Sequence, residues 1–248
     1  VILKDASIQI ARFELGKIYM KTKHYDAGRK LFTGLVRDDA NNPEYLYYQG
    51  ESFRELEQPA SSLVAYKNAV EKDSTHLRSL FQLGKYFVVK QEKNEALKYL
   101  DKGLEFYPED VAMINLKALV LFNDASYEKA IPWFEKVLAL GETKEYVYEK
   151  LAYCYYKEWD FEKAKENYRK MLEIDDSNSE TYFKLAEAYR KNKQLDSAEI
   201  NIREAMNIQK PIFAEGYSRL GGLARERNDL KSALEYYKLA HKEDPENA

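Results

Sequence analysis

Small and apolar residues recur along this chain at a fixed interval, and such an interval determines an architecture before any single helix is assigned. Gly16, Gly50, Gly84, Ala118, Ala152 and Ala186 follow one another at uninterrupted 34-residue steps, and Gly221 arrives after one inserted residue. A second small series, Gly28, Ser62, Ala96, Ala130, Ala164, Ala198 and Ala233, has the same spacing and slips at the same place. Leu15, Leu83, Leu151, Leu185 and Leu220 precede the first small residue, while Tyr19, Phe53, Phe87, Leu121, Tyr155 and Tyr189 follow it by three. Phe32, Tyr66, Leu100, Phe134, Tyr168, Ile202 and Tyr237 stand four beyond the second. Offsets of one, three and four place these residues on one face of a helix, so each period predicts two amphipathic helices.

Polar punctuation falls between the predicted helices. Asp39, Asp73, Asp175 and Asp244 share one end position, Pro108 and Pro245 occupy the next, and Pro43 opens a helix where a missing N–H costs nothing. Pro132 falls inside a second helix, where it removes one backbone bond and bends the helix without ending it. Pro211, beside the inserted residue, marks either a longer loop with a changed stacking angle or a neutral insertion.

This pattern of an aromatic, Leu-Gly, an aromatic, then Ala, an aromatic and a terminal Pro resembles the tetratricopeptide repeat family. The segments Tyr182-Phe-Lys-Leu-Ala-Glu-Ala-Tyr189 and Asp160-Phe-Glu-Lys-Ala-Lys-Glu-Asn-Tyr168 match it closely. A pentatricopeptide array fails on spacing and on the acidic charge. The resemblance implies an all-α fold, a right-handed superhelical solenoid of seven helix-turn-helix repeats at residues 9–42, 43–76, 77–110, 111–144, 145–178, 179–212 and 214–247. Small residues then let paired helices approach, and stacking buries the stripes that neither helix could bury alone. Residues 1–8 read as the end of a preceding helix and a linker. With no polar cap at either end, the chain reads as a portion of a longer array or one whose ends a partner covers, and end-to-end self-association is an expectation.

Composition narrows the function. Of 248 residues, 45% are hydrophobic and 33% charged; the net charge of -3 leaves no bulk field for polyanions, so no nucleic-acid partner is expected. No apolar run approaches the roughly 18 residues of a membrane span. The single cysteine, Cys154, excludes an intramolecular disulfide framework and multi-thiolate metal sites, and its place between aromatic residues reads as packing. His24, His76 and His241 share no metal-ligand spacing. No Ser-His-Asp set, phosphate-cradling loop or HExxH segment occurs, so the expectation is no enzyme, no cofactor and no metal. A cytoplasmic location is favoured, with the periplasm open if a signal segment was removed.

In the family that this chain resembles, the first helix of each hairpin lines a concave groove, with repeat positions two, five, nine, twelve and thirteen pointing into it. The resemblance therefore implies partner contacts at Phe13, Tyr47, Arg54, Arg78, Phe81, Lys85, Asn115, Leu119, Phe122, Tyr146, Glu149, Tyr153, Tyr156, Phe183 and Arg190. Leu119, Phe122, Tyr146, Tyr153 and Tyr156 are expected to form an exposed apolar patch rimmed by charge, as a binding centre would; the alternative is that they pack against neighbouring first helices. Position five lacks the lysine with which chaperone-tail binders hold a terminal carboxylate. The expected function is a scaffold that binds a protein or peptide segment through apolar anchors, with Arg54, Arg78, Lys85 and Arg190 setting register. The alternatives are a regulatory or substrate-docking part of a larger enzyme, and a structural component of a cell-envelope or secretion assembly.

Overall fold

The computed structural model describes residues 6–208 and 213–244. Fourteen α-helices and no strand stand among them: α1 (Ala6–Lys21), α2 (Tyr25–Asp38), α3 (Pro43–Glu55), α4 (Pro59–Lys72), α5 (Leu77–Val89), α6 (Lys93–Phe106), α7 (Val111–Asn123), α8 (Tyr127–Ala139), α9 (Glu145–Lys157), α10 (Phe161–Ile174), α11 (Ser179–Lys191), α12 (Leu195–Ile208), α13 (Phe213–Glu226) and α14 (Leu230–Glu243). The chain divides inside α7 into two compact units, Val1–Val120 and Leu121–Ala248.

One correction concerns the start. Ala6, Ser7 and Ile8, read as linker, already belong to α1, because no Gly or Pro separates them from the periodic residues that follow. The readings placed on Val1–Asp5, Pro211 and Pro245 lie outside the described residues. Pro132 sits exposed within α8 and does not end it.

Two kinds of punctuation fix the hairpins. Four first helices start on side-chain caps: Asn42 accepts from the Glu44 and Tyr45 N–H groups, His76 from Ser79, Asp110 from Met113 and Asn178 from Thr181, whereas Lys144 provides none for α9. These occupy donors that a helix start leaves unpaired. First helices end on residues in the left-handed region: Lys23, Glu57, Gln91, Ala125, Trp159, Lys193 and Asn228, with φ between 55° and 64°. After each, two backbone bonds close a Schellman turn, as where the Glu57 N–H donates to Arg54 O and the Gln58 N–H to Phe53 O. This is a third 34-residue series, slipping at the same place, and it lives in the backbone.

Only Asn228 among these residues is a type that tolerates positive φ well. Ala125→Gly is expected to stabilise the fold by about 0.5–1 kcal/mol, the relief of left-handed strain less the extra unfolded-state freedom of Gly. Urea unfolding checks it, and an unchanged or lowered midpoint would refute it.

The two small-residue series have a steric cause. A Cβ on Gly50 would lie 2.5 Å from Tyr66 Cε1, and one on Gly84 2.8 Å from Leu100 Cδ2; Gly16 stands in the same relation to Phe32 at 2.7 Å, and Gly221 to Tyr237 at 2.8 Å. The first helix thus carries a small residue where the large residue of the second helix lands. Hairpins then stack. In the second unit Phe183, Ala186, Ala198, Ile202, Ala205, Met206, Leu220 and Leu223 form one buried cluster drawn from α11, α12 and α13. The large second-helix residue is at most 3% exposed at Phe32, Tyr66, Leu100, Phe134, Tyr168 and Ile202, but Tyr237 on α14 is 37% exposed. Leu230 and Leu234 are exposed beside it.

Candidate functional site

In the first unit, the residues expected to face a partner are largely occupied with one another. Phe13 meets Tyr45 and Tyr48 at 5.2 Å each and Phe32 at 6.0 Å. Tyr47 is only 8% exposed, packed against Tyr48, Tyr66 and His76, with the Arg78 guanidinium over its ring at 4.7 Å. Burial pushes the Tyr47 hydroxyl up to about 12, so it stays protonated. Arg78 donates to both Glu44 oxygens and to the Tyr48 hydroxyl, and Arg54 pairs with Glu51 and Glu55. Phe81 lies beneath Lys85, whose Nζ is 5.6 Å from the ring. Leu119 is half-buried, and Asn115 has a buried Oδ1 with no hydrogen-bond partner.

The second unit differs. Phe122 at the end of α7, Tyr127 at the start of α8 and Tyr153 on α9 form a closed triangle, with centroid separations of 5.6 Å on Phe122–Tyr127, Phe122–Tyr153 and Tyr127–Tyr153. Phe134 closes against Phe122 from below at 6.2 Å. Beside the triangle a cavity of about 430 Å³ is lined by Phe122, Asn123, Tyr127, Glu149, Lys150, Tyr153, Tyr168 and Lys184. Lys150 Nζ stands 5.0 Å from the Phe122 centroid and Lys157 Nζ 5.1 Å from that of Tyr153, favourable over a ring face. Burial opposes ionisation of Glu149, but Lys184 at 2.9 Å and Lys150 hold its carboxyl below the usual range, so it is a carboxylate at neutral pH.

The expected patch is therefore partly assembled. Phe122 and Tyr153 meet at the cavity with Glu149 on its rim, whereas Tyr146 is half-buried and does not line it. Tyr156 packs on Phe161 at 5.6 Å and donates its hydroxyl to Glu187 at 3.3 Å. Phe183 is 1% exposed and belongs to the core cluster, so as the sequence stands it presents no face to a partner. Arg190 is held by Glu187 and Glu226. Arg54, Arg78 and Arg190, expected to set register, are thus already paired within the fold, because acidic residues one turn away (Glu51, Glu187) or on an adjoining first helix (Glu44, Glu226) reach them.

Tyr127, Tyr168, Lys150 and Lys184 belong to the site without having been read from the sequence. They sit outside the five groove positions, on second helices or at position six. No signal singled out Tyr127, since Tyr25 and Phe161 hold the same repeat position. Cys154 is buried, and burial pushes its thiol up to about 12, which leaves it unreactive. Among the described residues, no group of three or more His, Cys, Asp or Glu side chains could hold a metal ion, and no helix is long and apolar enough to cross a membrane.

Repeated hairpins locked by small-to-large contacts define a helical-repeat interaction scaffold. The chain belongs to the tetratricopeptide repeat family: that family's model matches residues 13–76 and 81–145, just over half of the chain. A model described as anaphase-promoting complex, cyclosome, subunit 3 matches residues 123–205. Anaphase-promoting complex subunit 6 of Arabidopsis thaliana is 27% identical over 164 residues, which cover 63% of this chain and 30% of that protein. This chain therefore spans under a third of that relative. Among solved structures, the C-terminal part of a TPR repeat-containing protein from Cytophaga hutchinsonii has a TM-score of 0.73 at 17% identity, covering 95% of this chain and 96% of that one. YrrB, described as a TPR protein with an unusual peptide-binding site, has a TM-score of 0.66 at 18% identity, covering 72% of this chain and 92% of that one. These likenesses carry the fold. Families of this repeat are generally non-catalytic protein-interaction modules.

Proposed function

We propose that this chain holds a protein partner through the second unit, with an apolar side chain of an extended or helical segment entering the cavity beside Phe122, Tyr127 and Tyr153. The observation that carries this reading is the cavity itself. Half-buried aromatics surround a space of about 430 Å³, within the range of specific pockets, and a polar rim of Asn123, Glu149, Lys150 and Lys184 encloses it. Aromatic rings offer large contact area with little side-chain freedom to lose, which is why they dominate binding energy at such centres. The rim carries more positive than negative charge, which favours an anchor with acidic neighbours. That the relative named above is a subunit of a multi-protein complex supports a protein as the partner.

The double variant Phe122→Ala with Tyr153→Ala is expected to weaken partner binding at least tenfold while leaving helicity unchanged, since both rings are half-buried rather than core. A photo-crosslinking residue placed at Asn123 in the otherwise native chain identifies the bound segment. Undiminished binding by the double variant, or a crosslinked segment with no apolar anchor, would overturn the reading.

A further inference from the structure

The outer faces of α1 and α14 are apolar and exposed, and neither uses the groove positions. On α1, Ile8, Ala11, Leu15 and Ile18 follow one another at spacings of three, four and three, which makes one stripe along the helix. Leu15 is 42% and Ile18 54% exposed. Within the fold the same repeat places are covered: Leu83, Leu151, Leu185 and Leu220 stand where Leu15 does, Cys154, Ala188 and Leu223 where Ile18 does, and each of these is at most 3% exposed. Their cover is the second helix of the preceding hairpin, as where Ile202, Ala205 and Met206 of α12 pack with Leu220 and Leu223 of α13. On α14, Leu230, Leu234 and Tyr237 form the matching stripe, and all three are exposed; Tyr237 stands at the place of Ile202. Two contiguous apolar stripes of this kind mark surfaces that other chains cover.

The composition of the stripes says what fits them. Where a junction between hairpins carries a polar residue at one of these places, its partner across the junction is polar too. Gln49, at the place of Leu15, donates to Thr33 of α2 at 3.3 Å, and Lys117, at the same place on α7, pairs with Asp101 of α6 at 2.5 Å. From the other side, Lys165 and Glu199 hold the place of Leu234, and they bond Gln194 and Arg227 of the hairpin that follows each. α1 and α14 have leucine at both places, so neither face offers or needs a polar partner. An apolar face set against a polar one would leave buried donors and acceptors unpaired, so each of these stripes suits the other.

We propose that the chain associates head to tail with a second copy of itself, the α1 stripe of one copy lying on the α14 stripe of the other as α13 lies on α12. Such a contact joins two different surfaces, so each pair of copies keeps one stripe of each kind free and association continues as concentration rises. It does not draw on the cavity beside Phe122 and Tyr153.

Sedimentation of the whole chain tests this. The mean mass is expected to rise with concentration beyond that of one chain. Leu15→Glu with Ile18→Glu disables one stripe, and Leu230→Glu with Leu234→Glu the other. Each double variant alone is expected to stay monomeric, with circular dichroism unchanged because all four side chains are exposed. An equimolar mixture of the two should form a dimer of twice the chain mass and nothing larger, since one intact stripe of each kind remains. Phe122→Ala with Tyr153→Ala should associate as the parent does. A parent chain that is monomeric at every concentration, or a mixture that stays monomeric, would overturn the proposal. So would a double variant that still dimerises by itself, which would show like stripe on like stripe, and so would loss of association in the Phe122/Tyr153 variant, which would place the contact in the groove.

Discussion

Phe134→Ala is expected to cost about 3–5 kcal/mol, whereas Tyr237→Ala, at the equivalent place on α14, should cost about 1–2 kcal/mol. Both residues stand four beyond the second small residue of their period, and each is the large side chain of its second helix. Phe134 has no exposed surface; its truncation removes a full aromatic ring and leaves a void that packed neighbours such as Phe122 can close only in part. Tyr237 is 37% exposed, so water already reaches part of the ring and can enter behind a smaller residue. Because stability in a stacked array is a sum of repeat and neighbour contributions, the two variants are best compared by urea unfolding with hydrogen exchange assigning the loss to hairpins. Equal costs at the two positions would show that burial by stacking is not what gives this series its energy.

Gly50→Val is expected to destabilise by about 2–3 kcal/mol, although valine is the better helix former. A Cβ at this position would already lie 2.5 Å from the Tyr66 ring, and valine adds two methyl groups beyond it. The ring has little room to retreat, since Tyr66 is 2% exposed and its hydroxyl is tied to Glu51. Gly50→Ala should cost less than Gly50→Val, because its single Cβ adds no further methyl groups against the ring and Ala152 and Tyr168 fill the equivalent pair three periods further along. Adding Tyr66→Leu to Gly50→Val should recover part of the loss, since Gly84 faces Leu100 in the neighbouring hairpin. A thermal or urea midpoint for Gly50→Val indistinguishable from the parent would discard the close-approach account.

The hairpins were legible because their cause is local. A small residue, an apolar residue three away and a large one sixteen later repeat through Gly16, Gly50 and Gly84, and helical periodicity turns that into paired helices without knowledge of any long-range contact. The seven Schellman turns were not legible. Their left-handed residues include lysine, glutamate, alanine and tryptophan, so the backbone conformation is imposed by the packing of the two helices it joins and leaves no residue type as a signature.

The candidate site divides along the same line. Which residues occupy first-helix positions follows from the period, and the groove positions of the family that the chain resembles then pointed to Phe122, Glu149 and Tyr153. Whether such a residue faces solvent was decided only by its neighbours. Phe183 and Tyr47 hold the same repeat position as Phe13 and Phe81, yet they are buried, because aromatic and apolar residues of adjoining helices close over them. Tyr127 and Tyr168 enter the site from second helices, and Glu44, Glu51 and Glu226 take up the arginines that were expected to meet a partner. Sequence by itself determined the periodic fold, since 34 residues are enough to specify one helical pair; tertiary structure decided exposure and charge pairing, since those depend on side chains brought together across helices that the period does not order in space.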